Sequence, residues 1–151
     1  METGKPYIIR CTNCHAKNRI LKEKVNEKPV CGKCHKPLNM AGIFIGKPVE
    51  VSDATFETEV LHSQIPVLTF FWAPWCSACQ GVLPVMNRIA SGLRGRIKVA
   101  KINIDKNPST TSHFQVMSVP LMIIFDNGKE KEDMTGAVSE LDILKKLTSY
   151  Y

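Results

Sequence analysis

The sequence predicts an α/β domain, a mixed central sheet with helices on both faces, preceded by a small module built on four cysteines. Three observations carry this. From about residue 48 onward, apolar strand-like runs alternate with stretches of helical spacing. Before that point lie two C-x-x-C pairs, Cys11/Cys14 and Cys31/Cys34, sixteen residues apart. Charge splits at the same place: residues 1–48 carry ten Lys and Arg against three Asp and Glu, and 49–151 carry ten against eleven. Such asymmetry implies two regions with different work, and we place them at 1–47 and 48–151.

The elements follow in order. The linker RILKEKVNEKPV between the cysteine pairs is rich in Lys and poor in large apolar groups, so a metal is expected to hold this segment together. Residues 35–48, HKPLNMAGIFIGKP, read as a connector with a short apolar patch. Val49 to Val51 is a short strand, and Ser52-Asp53 offers an N-cap for a helix to about His62. Pro66 to Trp72 is nearly continuous in apolar residues, as a strand covered on both faces requires. A helix from about Cys76 to Ser91 sets Val82, Leu83, Val85, Met86 and Ile89 at helical spacing, and Pro84 is expected to kink it.

Ile97 to Asp105 alternates as a strand, and Pro108 to Phe114 forms a short helix. Pro120 to Phe125 is a further strand, and Asp126-Asn127-Gly128 turns it into a hairpin partner running to about Thr135. Glu140 to Ser149 is the last helix. The order β-α-β-α-β-α-β-β-α gives the mixed sheet.

The totals exclude several classes. A chain of 151 residues, 44% hydrophobic and 23% charged, has the composition of an ordinary globular protein. Its start, METGKPYIIRCTNC, does not read as a secretory signal, and the apolar run from Ile65 to Trp72 is too short to span a bilayer. A cytoplasmic address is expected. In a reducing compartment six cysteines point to metal ligation or catalysis rather than to disulfide staples.

Two C-x-x-C knuckles each deliver two thiolates to one side of an ion, and the spacing of Cys11, Cys14, Cys31 and Cys34 falls in the range of four-cysteine Zn(2+) sites. Such a site carries a charge of about −2, which Arg10, Lys17, Arg19, Lys33 and Lys36 offset. Rubredoxin-type iron uses the same ligand set. His15 and His35 follow the knuckles directly and read as surface residues. Nucleic-acid binding is disfavoured, because Tyr7 and Phe44 are the region's only aromatics and no recognition helix is evident.

The stretch Trp75-Cys76-Ser77-Ala78-Cys79 follows a strand and opens a helix. Unpaired N–H groups of a helix's first turn stabilise a thiolate there and lower its pKa. Spacing of three puts Cys79 on the same helix face, within disulfide reach. Cys76 is therefore the exposed nucleophile and Cys79 the inner, resolving cysteine. Two buried structural cysteines are the plainer alternative, but the strand–C-x-x-C–helix context speaks against them, and a second metal site lacks a further ligand pair.

From about Val49 to the C-terminus the chain resembles the thioredoxin family. The resemblance rests on FWAPWC, Pro84 in the active-site helix, VAKINID over 99–105, SVP ending at Pro120, the FDNG turn and TGA around Gly136. CTNCHAKNRI and CGKCHKPL resemble the zinc module that precedes the thioredoxin domain in bacterial thioredoxin-2 type proteins. The resemblance implies a thioredoxin fold, Cys76 as the attacking and Cys79 as the resolving cysteine, and a cis peptide bond at Pro120 facing the pair. It also implies that Val119 offers backbone bonds to an extended substrate, and that Trp75 forms part of the substrate face. Trp72 reads as core.

Three departures stand out. The family's Gly-Pro between the cysteines is Ser77-Ala78, which restores an N–H donor near Cys76. That predicts a couple more oxidising than an ordinary thioredoxin, at about −270 mV. The family's buried aspartate position is Phe70, so the general base for Cys79 is missing. Lys101 stays where the family's lysine sits. It either extends to water or acts as a lone basic group and proton carrier near the cysteines.

The expected activity is thiol–disulfide exchange, as a protein-disulfide reductase using the redox-active Cys76–Cys79 disulfide and no organic cofactor. The resemblance implies disulfide-containing protein substrates, with recycling by thioredoxin reductase, which draws on NADPH. An oxidising or isomerase-like exchange protein, and a zinc-dependent peptide-binding or holdase module, are the alternatives. No membrane association is expected.

Overall fold

The computed structural model describes residues 4–151, so the leaderless reading of the chain's start lies partly outside the described residues. Strands β1 (Tyr7–Arg10) and β2 (Lys17–Ile20) pair antiparallel as a two-stranded sheet. This hairpin was not legible in the sequence. Its inward positions, Ile9 and Ile20, join Cys11, Cys31, Leu38, Ile43 and Ile65 in a small buried cluster. Apolar residues thus gather around the cysteines of the front module, a contribution beside that of any metal. Leu38 and Ile43 come from the stretch read as a connector, and Ile65 from the large domain.

The remaining strands are β3 (Val49–Glu50), β4 (Val67–Trp72), β5 (Lys98–Asn103), β6 (Leu121–Asp126) and β7 (Lys129–Thr135). They form one five-stranded sheet in the order β3-β5-β4-β6-β7. β3/β5 and β4/β5 run parallel, and β4/β6 and β6/β7 antiparallel. The first five residues of β4 are fully buried, the result of its central place between two covered faces. β7, KEKEDMT, closes the sheet as a mostly charged edge, which guards it against pairing with another chain. Asn127 and Gly128 take positive φ of 55° and 75°, the hairpin turn that Asp126-Asn127-Gly128 predicts.

Helices α1 (Ser77–Gly92) and α3 (Glu140–Leu147) cover one face. α1 buries Cys79, Val82, Met86, Ile89 and Ala90 and runs on through Pro84, which sits on its exposed side. There the carbonyl that Pro84 leaves without an N–H partner faces water. Ser139 caps α3, its Oγ accepting from the Asp142 N–H at 3.2 Å.

The other face is covered by residues 56–61 and by Phe114, which follows α2 (Pro108–His113). The helix expected from Ser52 to His62 is replaced by a turn and a short π-helical stretch, Glu57–Leu61. Asp53 explains the difference. Its carboxylate accepts from the N–H groups of Ser109 and Thr110 and from the Thr110 hydroxyl, at 3.1, 2.8 and 2.7 Å. Asp53 therefore caps α2 across space rather than a helix of its own.

Candidate active site and metal centre

Strand β4 delivers the chain to the redox pair. After Trp72 the backbone turns through Ala73, whose carbonyl accepts the Cys76 N–H at 3.1 Å. Cys76 is the extended N-cap residue of α1, and its Sγ accepts the Cys79 N–H at 3.1 Å. That hydrogen bond places the sulfur where the helix's unpaired donors converge. Cys76 and Cys79 are joined as a disulfide, with Cα atoms 5.3 Å apart. Cys79 is fully buried and Cys76 keeps 6% exposure, so Cys76 is the partner nearer to solvent.

Trp75 stands beside the pair, 68% exposed. Its indole N–H donates to both carboxylate oxygens of Asp105, at 3.1 and 3.2 Å. Asp105 is held in turn, its N–H donating to Asn103 Oδ1 at 2.9 Å. The sequence reading missed Asp105. The signal that could have found it is the parallel pairing of β4 and β5, with Trp72 level with Asn103, which brings the segments beyond both strands together.

Val119-Pro120 is cis. β6 begins at Leu121, level with Phe71 of the antiparallel β4, so Val119 and Pro120 lie at the sheet end from which β4 leads to Cys76. Trp75, Cys76, Cys79, Val119 and Pro120 are thus gathered at one end. Phe70 is fully buried, level with Lys101 on β5 and Met122 on β6. The Lys101 ammonium lies 3.6 Å from the Glu50 carboxylate and 5.8 Å above the Trp72 ring centroid. Its side chain reaches the rim of the sheet and is 31% exposed.

The four front cysteines converge at the other end of the chain's architecture. Their Sγ atoms all lie within 4.8 Å of one another, with Cys11–Cys34 and Cys14–Cys31 each at 3.6 Å. A tetrahedral zinc with Zn–S near 2.3 Å has sulfur edges of about 3.8 Å, so the set fits. Both knuckles have the same backbone. Cys11 N–H donates to Ala16 O and Cys31 N–H to Lys36 O, at 2.9 and 2.8 Å. His15 and His35 take φ of 63° and 64° to close these turns, and both are exposed.

The electrostatics point the same way. N–H groups of Cys34 and Lys33, outweighing burial, hold the Cys31 thiol down to about 5. At Cys14 the Ala16 N–H pulls downward, but burial and the thiols of Cys31, Cys34 and Cys11 together push it up to about 11. Four thiols this close do not all ionise without a cation among them.

The module docks on the sheet end opposite the redox pair. The Arg10 N–H donates to Gln64 O at 2.9 Å, just before β4, and its guanidinium meets Asp126 at the end of β6, 3.7 Å away. Arg96, before β5, donates to the carbonyls of Pro6 and Lys5 and stacks 4.6 Å over the Tyr7 ring. At Gly95, where φ is +83°, a Cβ would come within 2.5 Å of Phe44 and 2.8 Å of Tyr7, so the module packs against bare backbone.

No helix among the described residues is long and apolar enough to cross a membrane. The family model for thioredoxin matches residues 47–149. The chain is 42% identical over 101 residues to the thioredoxin of Synechocystis sp., covering 67% of this chain and 94% of that protein. It is 43% identical over 100 residues to thioredoxin 1 of Synechococcus elongatus, covering 66% and 94%. It is also 43% identical over 103 residues to the bifunctional thioredoxin reductase/thioredoxin of Mycobacterium leprae, covering 68% of this chain and 22% of that protein. With a disulfide-bonded C-x-x-C at the head of α1, a sheet of the matching kind and relatives of this similarity, the chain belongs to the thioredoxin family of protein-disulfide oxidoreductases.

Proposed function

We propose that this protein is a cytoplasmic protein-disulfide reductase that works through Cys76 and Cys79, with a zinc module, residues 1–47, ahead of its thioredoxin domain, residues 48–151. The observation that carries the reading is the Cys76 sulfur at the α1 N-terminus, accepting the Cys79 N–H and bonded to a sulfur that water does not reach. The Cys76 thiolate attacks one sulfur of a substrate disulfide. A mixed disulfide forms and the other substrate sulfur leaves as thiolate. Cys79 thiolate then attacks the Cys76 sulfur, the mixed disulfide breaks, and the second substrate thiolate leaves. Two electrons pass to the substrate, and the two protons of the dithiol balance its thiolates.

Trp75 and the Val119-Pro120 backbone are assigned to the substrate face, and Lys101 to proton movement at the pair. Thioredoxin reductase, using NADPH, is the proposed recycler of the oxidised form. Cys11, Cys14, Cys31 and Cys34 would hold Zn(2+), which cross-links the two knuckles when bound. Insulin-disulfide reduction with NADPH and thioredoxin reductase tests the reading. Turnover that vanishes in Cys76→Ser is expected. Turnover unchanged by Cys76→Ser would remove the cysteine pair from the activity and favour a peptide-binding module.

A further inference from the structure

In-register neighbours across a sheet project from the same face. Glu50, Lys101, Phe70, Met122 and Met134 form one such row across β3, β5, β4, β6 and β7. Phe70 and Met122 belong to the buried cluster that contains Cys76 and Cys79, so the row lies on the face that α1 covers. The sheet residues of that cluster are apolar, and Asn103, level with Trp72, is a buried polar residue on the same face. The row's charged members, Glu50 and Lys101, stand at the rim, 3.6 Å apart. Trp72 bridges the two zones, packed against the cysteine cluster and lying 5.8 Å beneath the Lys101 ammonium.

We propose that Glu50 is a positioning residue for the redox couple: paired with the Lys101 ammonium, it partly cancels the field which that charge directs at Cys76 and Cys79. This rests on the assignment of the two cysteines as the redox pair. A thiolate at the head of α1 is the charge that the field acts on. Lys101 favours it and Glu50 opposes it, both from a partly exposed rim where solvent screens part of the field.

The other charged groups around the pair, Asp105 beside Trp75 included, stay the same in the Lys101 and Glu50 variants. Asp105 is bound by Trp75, Lys106 is exposed beyond it, Arg88 of α1 pairs with Glu140 of α3, and Glu132 of β7 is held by Tyr150 and Lys146. The first turn of α1 has no acidic residue.

The two partners therefore have opposite signs, which packing damage does not reproduce. An ion pair this exposed contributes little to stability, so either member can be exchanged in a folded chain. The experiment follows the pH dependence of iodoacetamide alkylation at Cys76 in the reduced full-length protein, read by mass spectrometry. Lys101→Met is expected to move the midpoint up and Glu50→Gln to move it down, each changing the thiolate fraction about threefold at a fixed pH. The double variant falls between them, and Lys101→Arg keeps the wild-type midpoint. Midpoints that do not move, or that move the same way in both single variants, overturn the proposal. Insulin reduction by the wild type is run beside it. An inactive wild type removes the redox reading itself, whereas an active wild type with unmoved midpoints removes only the role of Glu50.

Discussion

The Trp75 indole N–H is shared between the two oxygens of the Asp105 carboxylate, 3.1 and 3.2 Å away. An exposed tryptophan next to the nucleophile is thereby held in one orientation, with its ring free to meet a substrate. Charge-assisted hydrogen bonds of this kind add geometric definition as well as energy. Asp105→Ala should leave the fold intact and raise KM for insulin several-fold, by roughly the factor that about 1 kcal/mol gives, with a smaller effect on kcat. Steady-state kinetics of the variant check this, and an unchanged KM would mean that Trp75 orients itself.

Burial separates the roles of the two redox cysteines. Cys79 is fully buried, and the sulfur it reaches is that of Cys76. Cys79→Ser is expected to accumulate a mixed disulfide between Cys76 and its substrate, visible as a mass adduct that a reductant releases. Turnover should fall by at least about a hundredfold, in line with the loss of a group essential to a covalent step.

Ser77 and Ala78 leave the first turn of α1 with an N–H donor that a proline in that turn would remove. Extra donors favour the thiolate and so the reduced dithiol. The potential of the couple, titrated against glutathione, should lie above about −270 mV, by a few tens of millivolts. Replacing Ala78 with Pro should lower it. A value at or below −270 mV would show that the donor does not reach the Cys76 charge.

The metal site gives a direct test by content. Purified protein is expected to carry one zinc per chain by elemental analysis, and Cys31→Ser to lose it. Loss of the ion should lower the melting temperature of the whole chain, because the module shares Ile65 with the large domain and docks on it through Arg10 and Arg96. Metal-free protein that melts like the loaded form would confine the ion's effect to the knuckles. Iron in place of zinc would appear in the same measurement.

Asp53 gives stability a pH dependence of known sign. The Thr110 hydroxyl and the N–H groups of Thr110 and Ser109 hold its carboxyl below the usual carboxylate value. Its contribution is therefore fully present above the unfolded value, near 4, and is lost as pH falls through the folded one. Between about pH 4 and the folded value the melting temperature of Asp53→Asn should approach that of the wild type, while at pH 7 it lies a few degrees lower. A gap that stays constant with pH would remove Asp53 from the acid response.

Much of this molecule was legible in order along the chain. Alternating runs announced the strands and helices of the large domain to within a few residues, because apolar spacing is set by local geometry. The errors fell where a residue answers to a distant partner. Asp53 looked like a cap for its own helix and caps α2 instead, since Thr110 lies far along the chain and close in space. The linker that holds Ile20 looked too poor in apolar groups for a core, yet two short hairpin strands and the connector bring Ile9, Leu38 and Ile43 onto it.

By itself the sequence determined the chemistry on offer: a C-x-x-C opening a helix after a buried strand, two knuckles of metal-ligand spacing, and no acid at Phe70. Short-range spacing is enough for those, because a thiol pair and a knuckle are each completed within a few residues. Only the tertiary structure decided that the four-cysteine centre docks on the sheet end away from Cys76, that Asp105 holds Trp75, and that Glu50 meets Lys101. Each of these depends on strand order and register. Crossover connections bring β3 beside β5 and β5 beside β4 across long stretches of chain, and the spacing of residues within one element carries no record of which neighbour it will find.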